Sequence, residues 1–371
     1  MRRLSGFFAL MLVLGVASFF IVKAYLPPKK EVKNMLPQGP GTPSVFSIPR
    51  GFSIDVYADL KKGRPRALTF DDYGNLLVSI PNQSSIVAVL DTDKNGRSDA
   101  QVSVLTGLNK PHGIVVHGGY LFVAQTDKVS RFVYDPKTNT AINEEVMFSL
   151  PGGGRHSTRT IKIYDNKLFV SVGSSCDTCV EKNEQRASIL VSNLDGTDLK
   201  VFASGLRNTV FFTFDGQGRM WGSDMGRDSL GDHLPPDEIN IITEGGNYGW
   251  PYCYGNAVVD SKFNSESSAF CSSSIPSAFN LPAHSAPLGI VRMGDGFLVA
   301  LHGSWNSSIP VGYKIVKLNT FAGQVVGMED YVSGFIDGDN ILGRPVDLVF
   351  DSNDNLYISD DHTGLIYILS K

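Results

Sequence analysis

Arg66-Ala-Leu-Thr-Phe70 leads to Asn75-Leu-Leu-Val-Ser79, and this two-part pattern returns five times along the chain. It recurs as Pro111-His-Gly-Ile-Val115 with Tyr120-Leu-Phe-Val-Ala124, and as Thr158-Arg-Thr-Ile-Lys162 with Lys167-Leu-Phe-Val-Ser171. Next come Asn208-Thr-Val-Phe-Phe212 with Arg219-Met-Trp-Gly-Ser223, and Leu288-Gly-Ile-Val-Arg292 with Phe297-Leu-Val-Ala300. Pro345-Val-Asp-Leu-Val349 with Asn355-Leu-Tyr-Ile-Ser359 is the sixth. Each unit is an alternating apolar run, a Gly or Asn turn, then a second apolar strand. Most units follow one another at about 45 to 60 residues, the period of a four-stranded blade. Six units predict an all-β, six-bladed β-propeller. Period-two alternation would let each strand bury one face against the next blade. Phe52-Ser-Ile-Asp-Val-Tyr57 precedes the first unit and Gly364-Leu-Ile-Tyr-Ile-Leu369 follows the last. The two are expected to pair and close the ring. Helical periodicity is convincing nowhere outside the N-terminal segment.

The composition fits this reading. Of 371 residues, 38 are Gly, and the net charge is −4 with 19% charged residues. Frequent Gly suits many short strands joined by tight turns. The absence of a basic stripe argues against nucleic acid as a partner.

The chain opens with Met1-Arg-Arg3, then an uncharged, mostly apolar run from Gly6 to Val22. That run is at the short edge of a membrane span. Val16-Ala-Ser18 is a weak cleavage site, so residues 1–27 read as an uncleaved signal anchor in preference to a cleaved signal peptide. Arg2 and Arg3 would hold the N-terminus in the cytoplasm and place the body outside. Residues 28–45, with several Pro, Lys and Gly, read as a tether, and 46–371 as the propeller. The four cysteines, Cys176, Cys179, Cys253 and Cys271, suit an exported, disulfide-bonded chain. Three pairings are open; proximity favours Cys176–Cys179 with Cys253–Cys271. Redox chemistry or zinc at Cys176-Asp-Thr-Cys179 is the alternative. However, no second Cys-x-x-Cys lies nearby, and Val180 stands where haem c attachment needs His.

The gap after the fourth unit is longer, about 80 residues against the usual spacing. It holds Asp237-Glu-Ile-Asn-Ile-Ile-Thr-Glu-Gly-Gly-Asn-Tyr-Gly-Trp-Pro251. Gly and Pro are unwelcome inside strands, so Gly245–Pro251 must turn out of the sheet. Asp237, Glu238 and Asn240 are oxygen donors that suit a hard cation such as calcium. A turn-rich loop is the plain alternative. With Gly205-Leu-Arg-Asn208 just upstream, this stretch resembles the soluble quinoprotein sugar dehydrogenases. These form the glucose/sorbosone dehydrogenase family, which uses pyrroloquinoline quinone (PQQ). The likeness runs from about residue 50 to the C-terminus and is most specific over Gly205–Pro251.

The resemblance implies roles. His156, in Gly153-Gly-Arg-His-Ser-Thr-Arg159, matches the segment that supplies the catalytic base. Arg207 and Asn208 match the family's Arg-Asn pair, Arg207 stabilising charge on the quinone and Asn208 positioning it. The main-chain carbonyls of Gly226 and Arg227 match the calcium ligands; the family has Pro where Arg227 stands. Asp237 and Glu238 would organise their loop or bind a second calcium. Arg344 matches an Arg that holds a PQQ carboxylate. His112 and His302 fall where the glucose enzymes use Gln and Lys, which puts glucose as substrate in doubt. The loop 228–236 is longer than in those enzymes and resembles the sorbosone-type branch. Separately, Asp91-Thr-Asp-Lys-Asn-Gly-Arg-Ser-Asp99 sets Asp91, Asp93, Asn95 and Asp99 at calcium-loop spacing. Val102 replaces the bidentate Glu, so it is not an EF-hand; a polar turn is the alternative.

The expected activity is PQQ- and calcium-dependent oxidation of a sugar, with electrons passing to an external acceptor. A calcium-dependent lactonase-type hydrolase and a non-catalytic binding propeller are the alternatives.

Overall fold

The computed structural model describes residues 33–35, 45–263 and 267–371. The anchor expected over 1–27 lies outside these residues. Among the described residues no helix is long and apolar enough to cross a membrane.

The six repeat units are the first two strands of six antiparallel blades. Blade 1 runs Leu68–Phe70, Leu76–Ile80, Ser85–Leu90, Ala100–Leu105. Blade 2 runs Ile114–His117, Tyr120–Ala124, Lys128–Asp135, Thr140–Ser149. Blade 3 runs Ile161–Tyr164, Lys167–Val172, Ser188–Asn193, Lys200–Ser204. Blade 4 runs Thr209–Phe214, Met220–Asp224, Asp237–Ile242 and, after an insertion, Phe279–Leu281. Blade 5 runs Pro287–Met293, Gly296–Leu301, Lys314–Phe321, Gln324–Ser333. Blade 6 runs Pro345–Phe350, Leu356–Asp360, Leu365–Ser370, and its outer strand is Ser53–Asp59. The ring therefore closes as expected, with Ser53 opposite Ser370 and Asp59 opposite Leu365.

Burial within a blade is graded. The second strands are buried on both faces, along their whole length in Leu76–Ile80 and Gly296–Leu301 and past the first residue in Tyr120–Ala124 and Lys167–Val172. Each is sandwiched between neighbouring blades, so apolar residues at every position remain dry. The one-face burial expected from alternation holds poorly there. At the rim burial is largely lost, and Thr140–Ser149 is mostly exposed. Each fully buried Leu or Val contributes about 1.5–3 kcal/mol. The turns between first and second strands repeat as well. Asp71, Asp215 and Asp351 each accept from the main-chain N–H two and four residues on, at 2.8–3.0 Å.

Two sequence expectations need correction. The tether over 28–45 is described at 33–35 and 45, and there it is strand. Lys33–Met35 pairs with Val45–Ser47, and Ser47 pairs with Ser333 of blade 5. A short helix, Ser267–Ser273, lies in the blade 4 insertion. It carries Cys271, bonded to Cys253 across a Cα–Cα distance of 5.7 Å. Cys176 and Cys179 form the other disulfide, at 6.1 Å. Thiol counting on unfolded, unreduced protein is therefore expected to find none free; one or more reactive thiols would contradict the pairing.

Candidate active site

In an antiparallel blade, loops leading into the first strand and joining the second to the third emerge at one end. His112, His156, Arg207, Asn208 and Arg344 all precede first strands, and Gly226, Arg227 and His302 follow second strands. All eight thus share one end of the propeller. Asp91, Asp93, Asn95 and Asp99 join a third strand to a fourth, at the opposite end. There the carboxylates of Asp91, Asp93 and Asp99 lie within 4.8 Å of one another. The main-chain N–H groups of Asn95 and Gly96 donate to Asp91.

At the first end, His156, Arg207, Asn208 and Gly226 line one open cleft of about 640 Å³, with Arg155, Asp228, Trp305 and Asn306 at its sides. Gly173 lies between two of them. A Cβ there would come within 2.5 Å of Asn208 Oδ1 and 2.7 Å of His156 Cβ, so only glycine fits.

His156 is half-buried and its protonation is set by its partners. Nδ1 lies 3.0 Å from Ser174 O and 2.8 Å from Ser174 Oγ. Ser174 Oγ donates its own hydrogen to Cys176 O at 2.7 Å. Both neighbours of Nδ1 are therefore acceptors, so Nδ1 carries the proton and Nε2 keeps the lone pair. Burial, then the positive charges of Arg207 and Arg155, push the imidazole pKa down to about 3. The ring is neutral and able to accept a proton at neutral pH.

Arg207 is 4% exposed. Its Nε donates to Asp177 O at 2.9 Å, Nη2 to Asp177 Oδ1 at 2.7 Å, and Nη1 to Met225 O at 3.2 Å. Asp224, at the end of a blade 4 strand, holds the main chain of the Arg-Asn pair. It accepts from Arg207 N at 3.0 Å and Asn208 N at 2.6 Å. Burial raises the Asp224 pKa to about 6.

Asp237 and Glu238, named above as possible metal ligands, are placed otherwise. Asp237 accepts from Gly226 N, Ser285 Oγ and Ala286 N at 2.8–3.0 Å. Glu238 accepts from Gly255 N at 2.5 Å and Asn240 Nδ2 at 3.0 Å. Both oxygens of each carboxyl are engaged, and neither joins a cluster of metal-ligating groups among the described residues. Of the two roles open in the sequence, their contacts fill the organising one. Arg227 turns its side chain away, onto Asp260 at 2.6 and 3.0 Å.

The remaining three candidates do not line this cleft. His302 Nε2 meets Asp361 Oδ1 at 2.8 Å, and Arg66 meets the other Asp361 oxygen at 2.8 Å. Arg344 Nη2 donates to Ser304 O at 2.8 Å and Gly303 O at 3.3 Å, over the Tyr313 ring. His112 is 1% exposed; Nδ1 faces Thr160 Oγ1 at 3.2 Å, while Nε2 has no partner. Burial holds its pKa well below the usual value, so it is neutral.

Sequence reading missed Ser174, Asp177, Asp224, Asp228 and Trp305. Asp177 sits inside the Cys-x-x-Cys and Asp224 ends the Trp221-Gly-Ser-Asp224 strand, so both stood beside quoted motifs. Asp228 ties three blades' loops together, accepting from Arg155 Nη2 at 2.5 Å and Asn306 Nδ2 at 2.7 Å. Trp305 is 70% exposed with the Arg155 guanidinium 5.8 Å from its ring centre.

The pattern of the TrAA12-like family matches residues 46–371. The chain belongs to the TrAA12-like family. This TrAA12-like chain is 32% identical over 352 residues to an uncharacterized protein of Borreliella burgdorferi, covering 87% of this chain and 90% of that one. It is 27% identical over 386 residues to the pyrroloquinoline quinone-dependent pyranose dehydrogenase of Coprinopsis cinerea. That match covers 83% of this chain and 52% of the Coprinopsis protein, so the chain spans about half that relative's length. The holo PQQ domain of the Coprinopsis enzyme superposes with TM-score 0.76 at 25% identity, over 88% of this chain and 97% of that one. A calcium structure of the Trichoderma reesei family AA12 protein gives TM-score 0.79 at 20% identity, over 94% and 99%. At that identity, the second likeness speaks for the TrAA12-like fold alone.

Proposed function

We propose that this chain oxidises a sugar with PQQ as its cofactor. The observation that carries the reading is the pairing of a neutral, tautomer-fixed His156 with a buried, fully oriented Arg207 in one cleft. PQQ-dependent sugar dehydrogenases among the relatives support it. The cleft suits a polycarboxylate quinone, since Arg155, Arg207 and Asn208 line it; outside the cleft but at the same end, His112 Nε2 is a buried polar atom without a partner. Arg207 and Asn208 would hold the group, with Arg344, His112 and His302 on the same end as further candidates. PQQ, when bound, supplies the two-electron acceptor.

The protein's own part is positioning and proton transfer. His156 Nε2 takes the hydroxyl proton of the sugar carbon being oxidised, while Ser174 holds the opposite nitrogen protonated. Arg207 offers a fixed positive charge where negative charge develops, and it needs no reorganisation because Asp177 already orients it. Calcium is the finer part of the proposal: the main-chain carbonyls of Gly226 and Arg227 would ligate it, because both oxygens of the nearby Asp237 carboxylate are already engaged. Two disulfides support export to an oxidising compartment, and electrons would pass to an external acceptor.

The test is to titrate purified protein with PQQ and calcium, then add a panel of pyranoses, sorbosone and lactones. PQQ binding followed by sugar-dependent bleaching of the cofactor spectrum is expected. Lactone hydrolysis without PQQ binding would overturn the dehydrogenase reading.

Trp305 gives a separate prediction. Its exposed ring at the cleft edge suits the apolar face of a pyranose. Trp305→Ala is expected to raise KM by about fivefold, the equivalent of ~1 kcal/mol of aromatic contact, with kcat held within about twofold. Its melting temperature should move little, since the ring is 70% exposed and its one cation–π neighbour, Arg155, is itself exposed and held by Asp228. A parental KM would remove Trp305 from the substrate site.

A further inference from the structure

The Cys-x-x-Cys motif has no part in the roles just given, yet its loop touches both central residues. Cys176 O accepts from Ser174 Oγ at 2.7 Å, and Ser174 Oγ in turn accepts from His156 Nδ1 at 2.8 Å. The next residue, Asp177, grips Arg207 twice, through its carbonyl at 2.9 Å and Oδ1 at 2.7 Å. The same Oδ1 accepts from Asp228 N at 3.0 Å. Ser174 N also donates to Arg207 O at 2.9 Å. Two successive residues of the disulfide-closed ring thus serve the two groups, one for each.

We infer that the ring closed by Cys176–Cys179 is a positioning device that holds His156 and Arg207 in fixed relation, with Ser174 and Asp177 as its two arms. The physical need is clear. The ring lies in the long connection between Lys167–Val172 and Ser188–Asn193, which contains no further strand or helix. An uncrosslinked loop of this kind samples many conformations, and the disulfide restricts the four residues Cys176–Cys179 that carry the two contacts. A buried guanidinium demands acceptors already in place. An imidazole used as a base demands a fixed tautomer. One short crosslinked ring meets both demands, and it spans two blades in doing so, since His156 leads into blade 3 and Arg207 into blade 4. The inference rests on the roles proposed above for His156 and Arg207.

The test uses full-length protein carrying Cys176→Ser with Cys179→Ser, and separately Asp177→Ala, in which the ring stays closed. The first readout needs no cofactor. The ¹⁵N shifts of the His156 imidazole, assigned by comparison with His156→Gln, report which nitrogen carries the proton and where the ring titrates. In the double-serine variant the Nδ1–H preference is expected to weaken. The imidazole pKa should rise from about 3 toward the ordinary value as burial and the nearby charges of Arg207 and Arg155 relax; Asp177 is the acidic group facing it. The second readout is turnover after PQQ reconstitution, where kcat should fall about tenfold or more with KM little changed, as expected for misplacement of reacting groups. Asp177→Ala should weaken the affinity for PQQ itself by about tenfold, since it strips a charged acceptor from Arg207. A folded double-serine variant with parental His156 shifts and turnover within twofold would overturn the inference. If that variant does not fold, Asp177→Ala decides: parental PQQ affinity and turnover would overturn it equally. Should the parent bind no PQQ, the sugar dehydrogenase reading fails, while the imidazole shifts still support or overturn the ring's hold on His156.

Discussion

His156→Gln should cut the turnover number by roughly two or more orders of magnitude, the usual contribution of a positioned general base. PQQ and calcium binding should stay nearly intact, because their proposed contacts come from Arg207, Asn208 and main-chain carbonyls. Glutamine keeps a polar group near Ser174 but offers no lone pair of comparable basicity. The measurement is single-turnover reduction of bound PQQ by the best sugar, alongside cofactor affinity. Reduction at the parental rate would remove His156 as the base. His112, neutral and with an unpartnered Nε2, would then be the candidate to test next.

Arg207→Ala should do more damage, and of a different kind. It removes ground-state and transition-state contacts together, so affinity for PQQ and rate should both fall. A charge-assisted hydrogen bond of about 1.5–3 kcal/mol corresponds to roughly ten- to a hundredfold in affinity. Loss of a fixed charge at a developing anion costs about two to three orders of magnitude in rate. The pH dependence gives an independent check. The charge of Arg207 is one reason that the His156 pKa is low, second only to burial. A base works only unprotonated, so the parent's kcat/KM should hold as pH falls and drop only as it nears about 3. Without Arg207 the imidazole protonates more easily, and the acid limb should move to higher pH. An unmoved limb would show that the falling activity reports another group.

The ring of six blades was legible because each blade repeats one physical problem: two buried strands and a tight turn. Residues such as Leu76 to Ser79 and Leu356 to Ser359 state that problem in sequence. Closure by Ser53–Asp59 and both disulfides were legible for the same reason, through pattern and proximity. The helix Ser267–Ser273 was not, because seven residues, mostly Ser, carry no helical period. Asp237 and Glu238 were left with two roles because an acid that binds metal and an acid that caps buried N–H groups look alike in one dimension. Only the fold brings Ser285, Ala286 and Gly255 to them. The His156 and Arg207 segments were legible through resemblance. Their supports, Ser174, Asp177 and Asp224, act through tertiary hydrogen bonds that no local spacing announces.

The pairing of Ser53 with Ser370 also governs how the molecule is made. Blade 6 takes its outer strand from one end of the propeller sequence and its other three from the opposite end. It stays incomplete until Leu365–Ser370 has been synthesised, however early the first five blades condense. Contacts so distant in sequence carry the largest loop-closure entropy and form late. Until then Ser53–Asp59 is an unpaired strand exposing Ile54 and Tyr57, which are buried once the ring is shut. That interval is the chain's period of greatest exposure to aggregation. Loss of Leu365–Ser370 would therefore cost much more than six residues of contact: it would leave Ser53–Asp59 with no partner in blade 6, Leu356–Asp360 with one free edge, and the circle permanently open.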